Sequence, residues 1–362
     1  MNYYFHFPFC RSKCGYCAFY SLPAPSEEAI ACWLERILRE LKEFEPVETC
    51  ETIYLGGGTP TLPEPRMLER FFEALYDRLR PGPETEISME ANPETLDREK
   101  VVLIRAFVNR LSLGVQSFCP EKRETLGRNC PQQKLDEALE LACNADFPHW
   151  NCDLIYAIPG QNREAWRQEL RRAASCGIDH LSCYNLTPEE GALLSSQLIP
   201  DEEDSAAMWE IAETELAAAG IRRYEISNYA RPGSECRHNR NVWRGGLLKG
   251  FGPSAAGFDG EVRTIEPADL AAWLRGDPPE IDRIAPERRR NEIFAVQLRT
   301  VEGWTPELWG RAPGADPWAE RITAAETADA ACGGGMLEIT PGRIAATRRG
   351  MLFWNSLAES IL

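Results

Sequence analysis

Seven short runs of strand-forming residues recur through the first 230 positions, each separated from the next by a longer stretch. They read "YYFHF" (3–7), "TIYLG" (52–56), "EISMEA" (86–91), "RLSLGVQS" (110–117), "NCDLIYA" (151–157), "HLSCYNL" (180–186) and "RRYEISNY" (222–229). Between the first two, "SEEAIACWLERILRELKEF" repeats its apolar residues at helical period, with Ser26 placed to cap its start. "EDSAAMWEIAETELAAAG" ends on Gly220, a residue type that terminates helices. Strands joined by helical crossovers predict a parallel sheet, because a tight hairpin cannot return the chain to the same end of its neighbour. Six or seven such units curl into a full or partial (β/α) barrel. A chain of 362 residues leaves room for an appended domain.

The pattern changes near residue 230. "RPGSECRHNRNVWRGGLLKGFGPSAAGFDG" is rich in Gly, Arg and aromatic residues and has no strong period, so 231–285 is expected to be an irregular extension of a core spanning 1–230. The remainder, 286–362, holds helical "PERRRNEIFAVQL", "DPWAERITAAETADAAC" and "RRGMLFWNSLAESIL", with "GMLEITPGRIAATRRG" reading as a β-hairpin. Helices plus a hairpin predict a small helical, winged-helix-like domain.

The formal net charge of −16 discourages binding to nucleic acid or anionic membrane, since phosphate contact needs a basic face. A membrane-spanning helix needs about 20 apolar residues, and the longest stretch without a charge, Thr52 to Pro63, is shorter and rich in Gly and Pro. "MNYYFHFPFC" lacks the basic start and apolar run of a signal peptide, so a cytoplasmic location is expected. The 13 cysteines are odd in number and scattered, which fits a reducing compartment rather than a disulfide scaffold. Cys32, Cys50, Cys143 and Cys176 lie in or beside helical patterns and are expected to be small buried hydrophobes.

Cys10, Cys14 and Cys17 stand apart. They fall within "FCRSKCGYC" at spacing C-x3-C-x2-C, one thiolate short of a usual four-ligand metal set. A structural zinc would need a fourth ligand such as His6. A redox dithiol would use Cys14 and Cys17 and leave Cys10 idle. A cubane iron–sulfur cluster held by three thiolates keeps its fourth iron open to a small ligand. The spacing admits all three. Elsewhere, "GGGTP" (Gly56, Gly57, Gly58, Thr59, Pro60) directly follows a strand and permits close backbone approach, besides making a tight turn. It is neither G-x-G-x-x-G nor a P-loop. Glu90, Gln116 and Asp153 fall at or near the C-terminal ends of three successive predicted strands, the end where barrel sites form.

"YFHFPFCRSKCGYCAFYS" resembles the cluster motif of the radical S-adenosylmethionine (SAM) enzymes, in the group around the oxygen-independent coproporphyrinogen III oxidases. "YLGGGTPTLP", "SMEANPETL", "LSLGVQSF", "GRNC", "CDLIYAIPGQ" and "YNLTPEEG" resemble further motifs of that group in the same order. The resemblance implies a [4Fe–4S] cluster on Cys10, Cys14 and Cys17, with the amino and carboxylate groups of SAM on the open iron. It implies SAM contacts from Tyr4, Gly57, Gly58, Thr59, Glu90, Gln116, Arg128 and Asp153, with Ile155 and Asn185 near the adenosine. Reduction of SAM to methionine and a deoxyadenosyl radical requires the low end of iron–sulfur potentials. Phe7, Phe9 and Phe19 suit core packing as well as cofactor contact.

The oxidases of that group carry a fourth cysteine where this chain has Phe19. Phe at that place resembles the related heme chaperones of the HemW type. "ECRHNRNVW" (235–243) resembles their H-N-x-x-Y-W motif, with Val242 in place of the aromatic residue. "GFGPSAAGF" has Ala256 where a histidine often stands, which leaves His238 as the candidate heme ligand, with Cys236 behind it. A positioning role for His238 is the competing reading. The resemblance therefore implies heme binding and transfer to an acceptor protein, a low-potential electron donor, and a monomer or cluster-dependent dimer. The alternative it leaves open is a radical SAM oxidase acting on a porphyrin precursor.

Overall fold

The computed structural model describes residues 1–46, 49–187, 189, 192–194, 196 and 201–362. Pro188, Glu190 and Gly191 of the "YNLTPEEG" stretch lie outside the described residues. Six strands, β1 (Asn2–Phe7), β2 (Thr52–Gly57), β3 (Glu86–Ala91), β4 (Arg110–Gln116), β5 (His149–Tyr156) and β6 (His180–Asn185), lie side by side in chain order, all parallel. The crossovers carry α1 (Glu27–Glu43), α2 (Pro65–Leu79), α3 (Arg98–Phe107), α4 (Pro120–Thr125), α5 (Gln132–Asn144) and α6 (Arg163–Ser175), and α7 (Glu202–Ala218) follows β6. The Ser26 hydroxyl caps α1 by accepting from the Ala29 N–H.

Side chains alternate across these strands, so each contributes to two surfaces. From β1, Tyr3, Phe5 and Phe7 face the helices: Phe5 meets Phe71 of α2 edge-on at 5.3 Å, and Phe7 meets Trp33 of α1 at 4.5 Å. Asn2, Tyr4 and His6 face the other way, into a polar interior shared with Thr52, Tyr54, Glu90, Ser112, Asn151 and Asp153. The hydrophobic layer thus fixes the barrel wall and leaves its inside free for chemistry. Phe7 and Phe9 belong to that layer, whereas Phe19 is 70% exposed. Cys50 is buried as expected, but Cys32 and Cys143 are exposed on outward helix faces.

The predicted strand 222–229 is broken. It forms β7 (Arg222–Arg223) and β8 (Asn228–Ala230), folded back on each other across a corner at Tyr224–Ser227. β8 runs antiparallel to β6 and ends the parallel run on that side. The stretch 231–285, expected to be irregular, is largely ordered. It contains α8 (Arg237–Trp243), β9 (Leu248–Phe251), β10 (Ala256–Phe258), β11 (Val262–Ile265), α9 (Leu270–Arg275) and β12 (Glu280–Arg283). β9 pairs parallel to β1, and β10 to β12 continue antiparallel, completing a 12-stranded open sheet in the order β12-β11-β10-β9-β1-β2-β3-β4-β5-β6-β8-β7. Strands of three and four residues around glycines at φ 99° (Gly252) and 100° (Gly260) are too short to display a period.

Beyond residue 285, α10 (Pro286–Gln297), α11 (Pro306–Trp309), α12 (Trp318–Ala331), α13 (Arg348–Leu352) and α14 (Trp354–Ile361) surround the hairpin of β13 (Leu337–Thr340) and β14 (Arg343–Ala346). Their core, around Phe294, Trp304, Trp309, Ile344 and Leu357, is separate from that of the barrel. The two are fastened where Arg299 Nε donates to the buried Glu225 at 2.9 Å and the Val301 N–H donates to the Tyr224 carbonyl at 2.9 Å. Among the described residues no helix is long and apolar enough to cross a membrane.

Candidate functional site

The loop bearing Cys10, Cys14 and Cys17 leaves the C-terminal end of β1 and is held from three sides. A two-residue parallel pairing, Phe9 with Leu22 and Cys10 with Pro23, closes its base. The Gly15 N–H donates to the Leu126 carbonyl at 2.9 Å, and the Leu194 N–H donates to the Gly15 carbonyl at 2.8 Å. The Gly58 N–H donates to the Phe7 carbonyl at 2.7 Å. This last contact accounts for the glycines after β2. A Cβ on Gly58 would stand 2.6 Å from the Phe9 carbonyl oxygen, and one on Gly57, at φ 108°, would stand 2.7 Å from the His6 ring. The close approach they permit is to the backbone and histidine of β1 and its loop.

All three thiols are free and half-buried. Thr59 Oγ1 donates to Cys10 Sγ at 3.5 Å, and Arg128 Nη1 donates to Cys14 Sγ at 3.6 Å. Burial pushes the Cys10 and Cys17 thiols up from their ordinary pKa, and the neighbouring thiols add to this. Arg128 follows Gly127, which is at φ 65°, and is buried; its Nη2 donates to the Gly114 carbonyl at 2.5 Å and its Nε has no partner. Among the described residues no group of three or more His, Cys, Asp or Glu side chains converges on a single-ion site. Ligands of one zinc lie within about 4 Å of each other, given Zn–S bonds of about 2.3 Å, whereas the thiols of a cubane each bind a different iron. Three thiols that do not converge on one ion position, with a buried guanidinium against Cys14, therefore suit the cluster better than the zinc alternative.

The carboxylates come from the barrel interior. Glu90 accepts from Tyr54 Oη at 2.9 Å and from the Gly57 N–H at 3.2 Å. Burial, followed by the charge of Asp153, raises its pKa to about 7. Asp153 accepts from Ser112 Oγ at 3.0 Å and Asn151 Nδ2 at 2.8 Å; burial raises its pKa against these hydrogen bonds. Tyr4 Oη donates to His6 Nδ1 at 3.0 Å, and His6 Nε2 donates to the Tyr20 carbonyl at 2.8 Å, which fixes a neutral ring tautomer. Burial lowers the His6 pKa and supports that neutral form.

Backbone strain collects at the same rim. Gly57 ending β2, Gln116 (φ 66°) ending β4, Ala157 (φ 60°) after β5 and Gly252 after β9 all adopt left-handed conformations. Gln116 and Ala157 carry a Cβ, so both are strained, and Gln116 sits at a register shift between β4 and β5. Ile155 is buried in a small cluster with Leu126, Ile158 and Leu186, against Tyr16 and Leu194. Asn185 ends β6 and is exposed. The structure thus assembles Cys10, Cys14, Cys17, Gly57, Gly58, Thr59 and Arg128 around the loop, with Tyr4, Glu90, Gln116, Asp153, Ile155 and Asn185 on adjoining strands.

His238 is not among them. It is 6% exposed, on the first turn of α8, at the N-terminal end of the barrel. Its Nδ1 donates to Thr52 Oγ1 at 2.7 Å, which in turn donates to Asn2 Oδ1 at 2.8 Å, and its ring lies 5.1 Å from that of Tyr54. Its N–H donates to Glu86 Oε1 at 2.9 Å, and burial lowers its pKa to about 4. The ring is thus enclosed among Thr52, Tyr54 and the first turn of α8, at the end of the barrel opposite the thiol loop. Tyr54, Ser112 and Asn151 are interior residues not singled out from the sequence, and His6 entered there only as a possible zinc ligand. The signal was present in polar residues at alternate positions of the strands, such as Asn2, Tyr4 and His6, Thr52 and Tyr54, or Asn151 and Asp153.

Residues 4–173 match the family model of the Radical SAM superfamily. The heme chaperone HemW of Mycobacterium tuberculosis is 33% identical over 99% of this chain and 94% of its own. That of Escherichia coli is 34% identical over 83% of each. The mouse mitochondrial radical S-adenosyl methionine domain-containing protein 1 is 31% identical over 84% of this chain and 74% of its own. The structure of coproporphyrinogen III oxidase (HemN) from Escherichia coli superposes with a TM-score of 0.85 over 99% of this chain and 89% of that one, at 19% identity, and shows the same fold.

Proposed function

The chain belongs to the family of the heme chaperone HemW, built on a Radical SAM core, and from that premise we propose that it binds heme and passes it to acceptor proteins. A [4Fe–4S] cluster and SAM are its resident cofactors. Cys10, Cys14 and Cys17 would hold the cluster, which supplies a low-potential electron and a metal position for the amino and carboxylate groups of SAM. The single observation that supports this placement best is the contact of the buried Arg128 guanidinium with Cys14, in a loop that carries three free thiols at the strand ends.

The chain's own residues then have separate tasks. Arg128 keeps a fixed positive charge beside Cys14 and can pair with a carboxylate. Gly57, Gly58 and Thr59 hold the loop against β1, and the Thr59 hydroxyl orients Cys10. Glu90 and Asp153 present carboxyl oxygens to the amine and hydroxyl groups of SAM, with Gln116 between them on β4. Tyr4 stands beside Glu90, and Ile155 and Asn185 offer an apolar wall and an amide near the adenosine. We propose that 1–230 forms the cofactor core, 231–285 its extension and 286–362 a separate small domain. The electron donor and the heme acceptor are further proteins.

Oxidation of a porphyrin precursor is the weaker reading, because Phe19 stands two residues after Cys17 and brings no fourth thiol. Anaerobic cluster reconstitution, followed by titration with heme and with SAM and by transfer to an apo-heme protein, tests the proposal. Binding and transfer of heme are expected, with iron and sulfide but no stoichiometric zinc. Substantial anaerobic conversion of coproporphyrinogen to protoporphyrinogen would replace the proposal with the oxidase reading.

A further inference from the structure

Inside the barrel, a chain of hydrogen bonds runs from Asp153 toward the opposite end. Asn151 Nδ2 donates to Asp153 Oδ1 at 2.8 Å and to Ser112 Oγ at 2.7 Å. Asn151 Oδ1 meets His180 Nδ1 at 2.8 Å, and His180 Nε2 meets Tyr224 Oη at 2.9 Å. Asn151 and His180 are buried, and Tyr224 lies in the corner between β7 and β8.

The chemistry of these groups allows one arrangement of protons. A carboxylate only accepts, so Asn151 must turn its NH2 toward Asp153 and its carbonyl toward His180. His180 must then carry its proton on Nδ1, which leaves Nε2 as an acceptor, and Tyr224 must donate to it. Burial, and then the charge of Arg110, hold His180 neutral, its pKa lowered to about 3, so the second ring nitrogen carries no competing proton. The hydroxyl oxygen of Tyr224 is left to accept the Cys236 N–H at 3.4 Å. Tyr224 is itself anchored from the C-terminal domain by Val301.

We propose that Asn151, His180 and Tyr224 are positioning residues that fix the Asp153 carboxylate for SAM: the Asn151 carbonyl is held by the Ser182 hydroxyl at 3.3 Å and by His180 Nδ1, and the Tyr224 hydroxyl braces the far side of that ring. This rests on the reading of Asp153 as a SAM contact. Without the Tyr224 hydroxyl, His180 Nε2 loses its donor and the ring is held on one side only. The Asn151 carbonyl then rests chiefly on the Ser182 hydroxyl, and the amide that donates to Asp153 is held less firmly.

Nitrogen-15 spectra of the histidine side chains in the full-length protein test the tautomer without any cofactor. His180 is expected as the neutral Nδ1–H form in the wild type, with the Nε2 resonance displaced in Tyr224→Phe as its donor is lost. A wild-type His180 in the Nε2–H form overturns the inference, and this spectrum decides even if the variant does not fold. In the anaerobically reconstituted protein, Tyr224→Phe is expected to weaken SAM binding about threefold to tenfold, the loss of one hydrogen bond's worth of ordering. Asp153→Asn is the control. If it weakens SAM binding while Tyr224→Phe does not, the positioning role alone falls. If Asp153→Asn leaves SAM affinity unchanged, the SAM-contact reading falls and takes this inference with it.

Discussion

Arg128 and Cys14 are 114 positions apart in the chain, yet Arg128 Nη1 donates to Cys14 Sγ at 3.6 Å while Nη2 is bound to the Gly114 carbonyl. The loop after β4 therefore reaches back to the loop after β1, and a buried cation stands against a thiol intended for iron. Replacing it with a neutral side chain of similar length separates its charge from its bulk. Arg128→Met is expected to lower SAM affinity roughly tenfold or more, the scale of a lost charge-assisted hydrogen bond. It should also make the cluster potential more negative. Equilibrium binding and potentiometry on the anaerobic protein check both, and unchanged SAM affinity would remove the guanidinium from the site.

Gly58 faces the Phe9 and Phe7 carbonyl oxygens, at 2.6 and 2.9 Å from the position of an added Cβ. Both obstacles are backbone, so neither can rotate aside. Gly58→Ala is expected to cost about 1–3 kcal/mol, the usual scale of overpacking, and to reduce iron incorporation because Cys10 follows Phe9 directly. Gly82→Ala, where nothing lies within 4 Å, is the matched control and should be close to neutral. Thermal melts together with iron and sulfide analysis distinguish local dislocation from general unfolding.

Glu90 carries a pKa raised to about 7 by burial and then by Asp153, against about 4.3 for a carboxyl in an unfolded chain. Between those values the folded state binds the proton and the unfolded state does not. Stability of the unliganded protein therefore falls as pH rises through this window and levels off above it. Glu90→Gln should match the wild type near pH 5 and exceed it near pH 8 by on the order of 2 kcal/mol, at 1.36 kcal/mol per pKa unit. Melting curves of the two proteins that run parallel from pH 5 to 8 would show that Glu90 titrates normally.

His238 is held by Thr52 on one side and Glu86 on the other. His238→Ala should destabilise the protein by about 1–3 kcal/mol, since it leaves the buried Thr52 hydroxyl without its donor, while the backbone N–H contact to Glu86 remains. Cluster assembly, and heme affinity measured on the folded fraction, should be unaffected. Lost heme binding with an unchanged melting temperature would instead restore His238 as a heme ligand.

Much of this architecture was legible because parallel strands buried against helices announce themselves by apolar runs and intervening helical periods. The six strands from β1 to β6 all carry that mark. The rim was legible for a different reason: thiols, glycines and carboxylates at strand ends are few and chemically distinctive. The segment 248–283 was not, because strands of three and four residues show no period and their pairing partner, β1, is remote in sequence. The buried place of His238 was not legible, because a motif fixes residue types and spacing but not which end of a barrel they occupy. The Asp153–Asn151–His180–Tyr224 chain was hidden for a similar reason. Its members are ordinary polar residues whose meaning lies in register, such as Asn151 facing His180 across β5 and β6.

The place of β1 between β2 and β9 carries a consequence for biogenesis. Translation delivers the amino terminus first, but the second neighbour of this strand is not made until residues 248–251 leave the ribosome. Until then "YYFHF" is an unprotected border, prone to join other polypeptides, and the thiol loop hangs from an unfinished support. Iron loading is thus a late event, and a product truncated before Leu248 should precipitate rather than acquire metal.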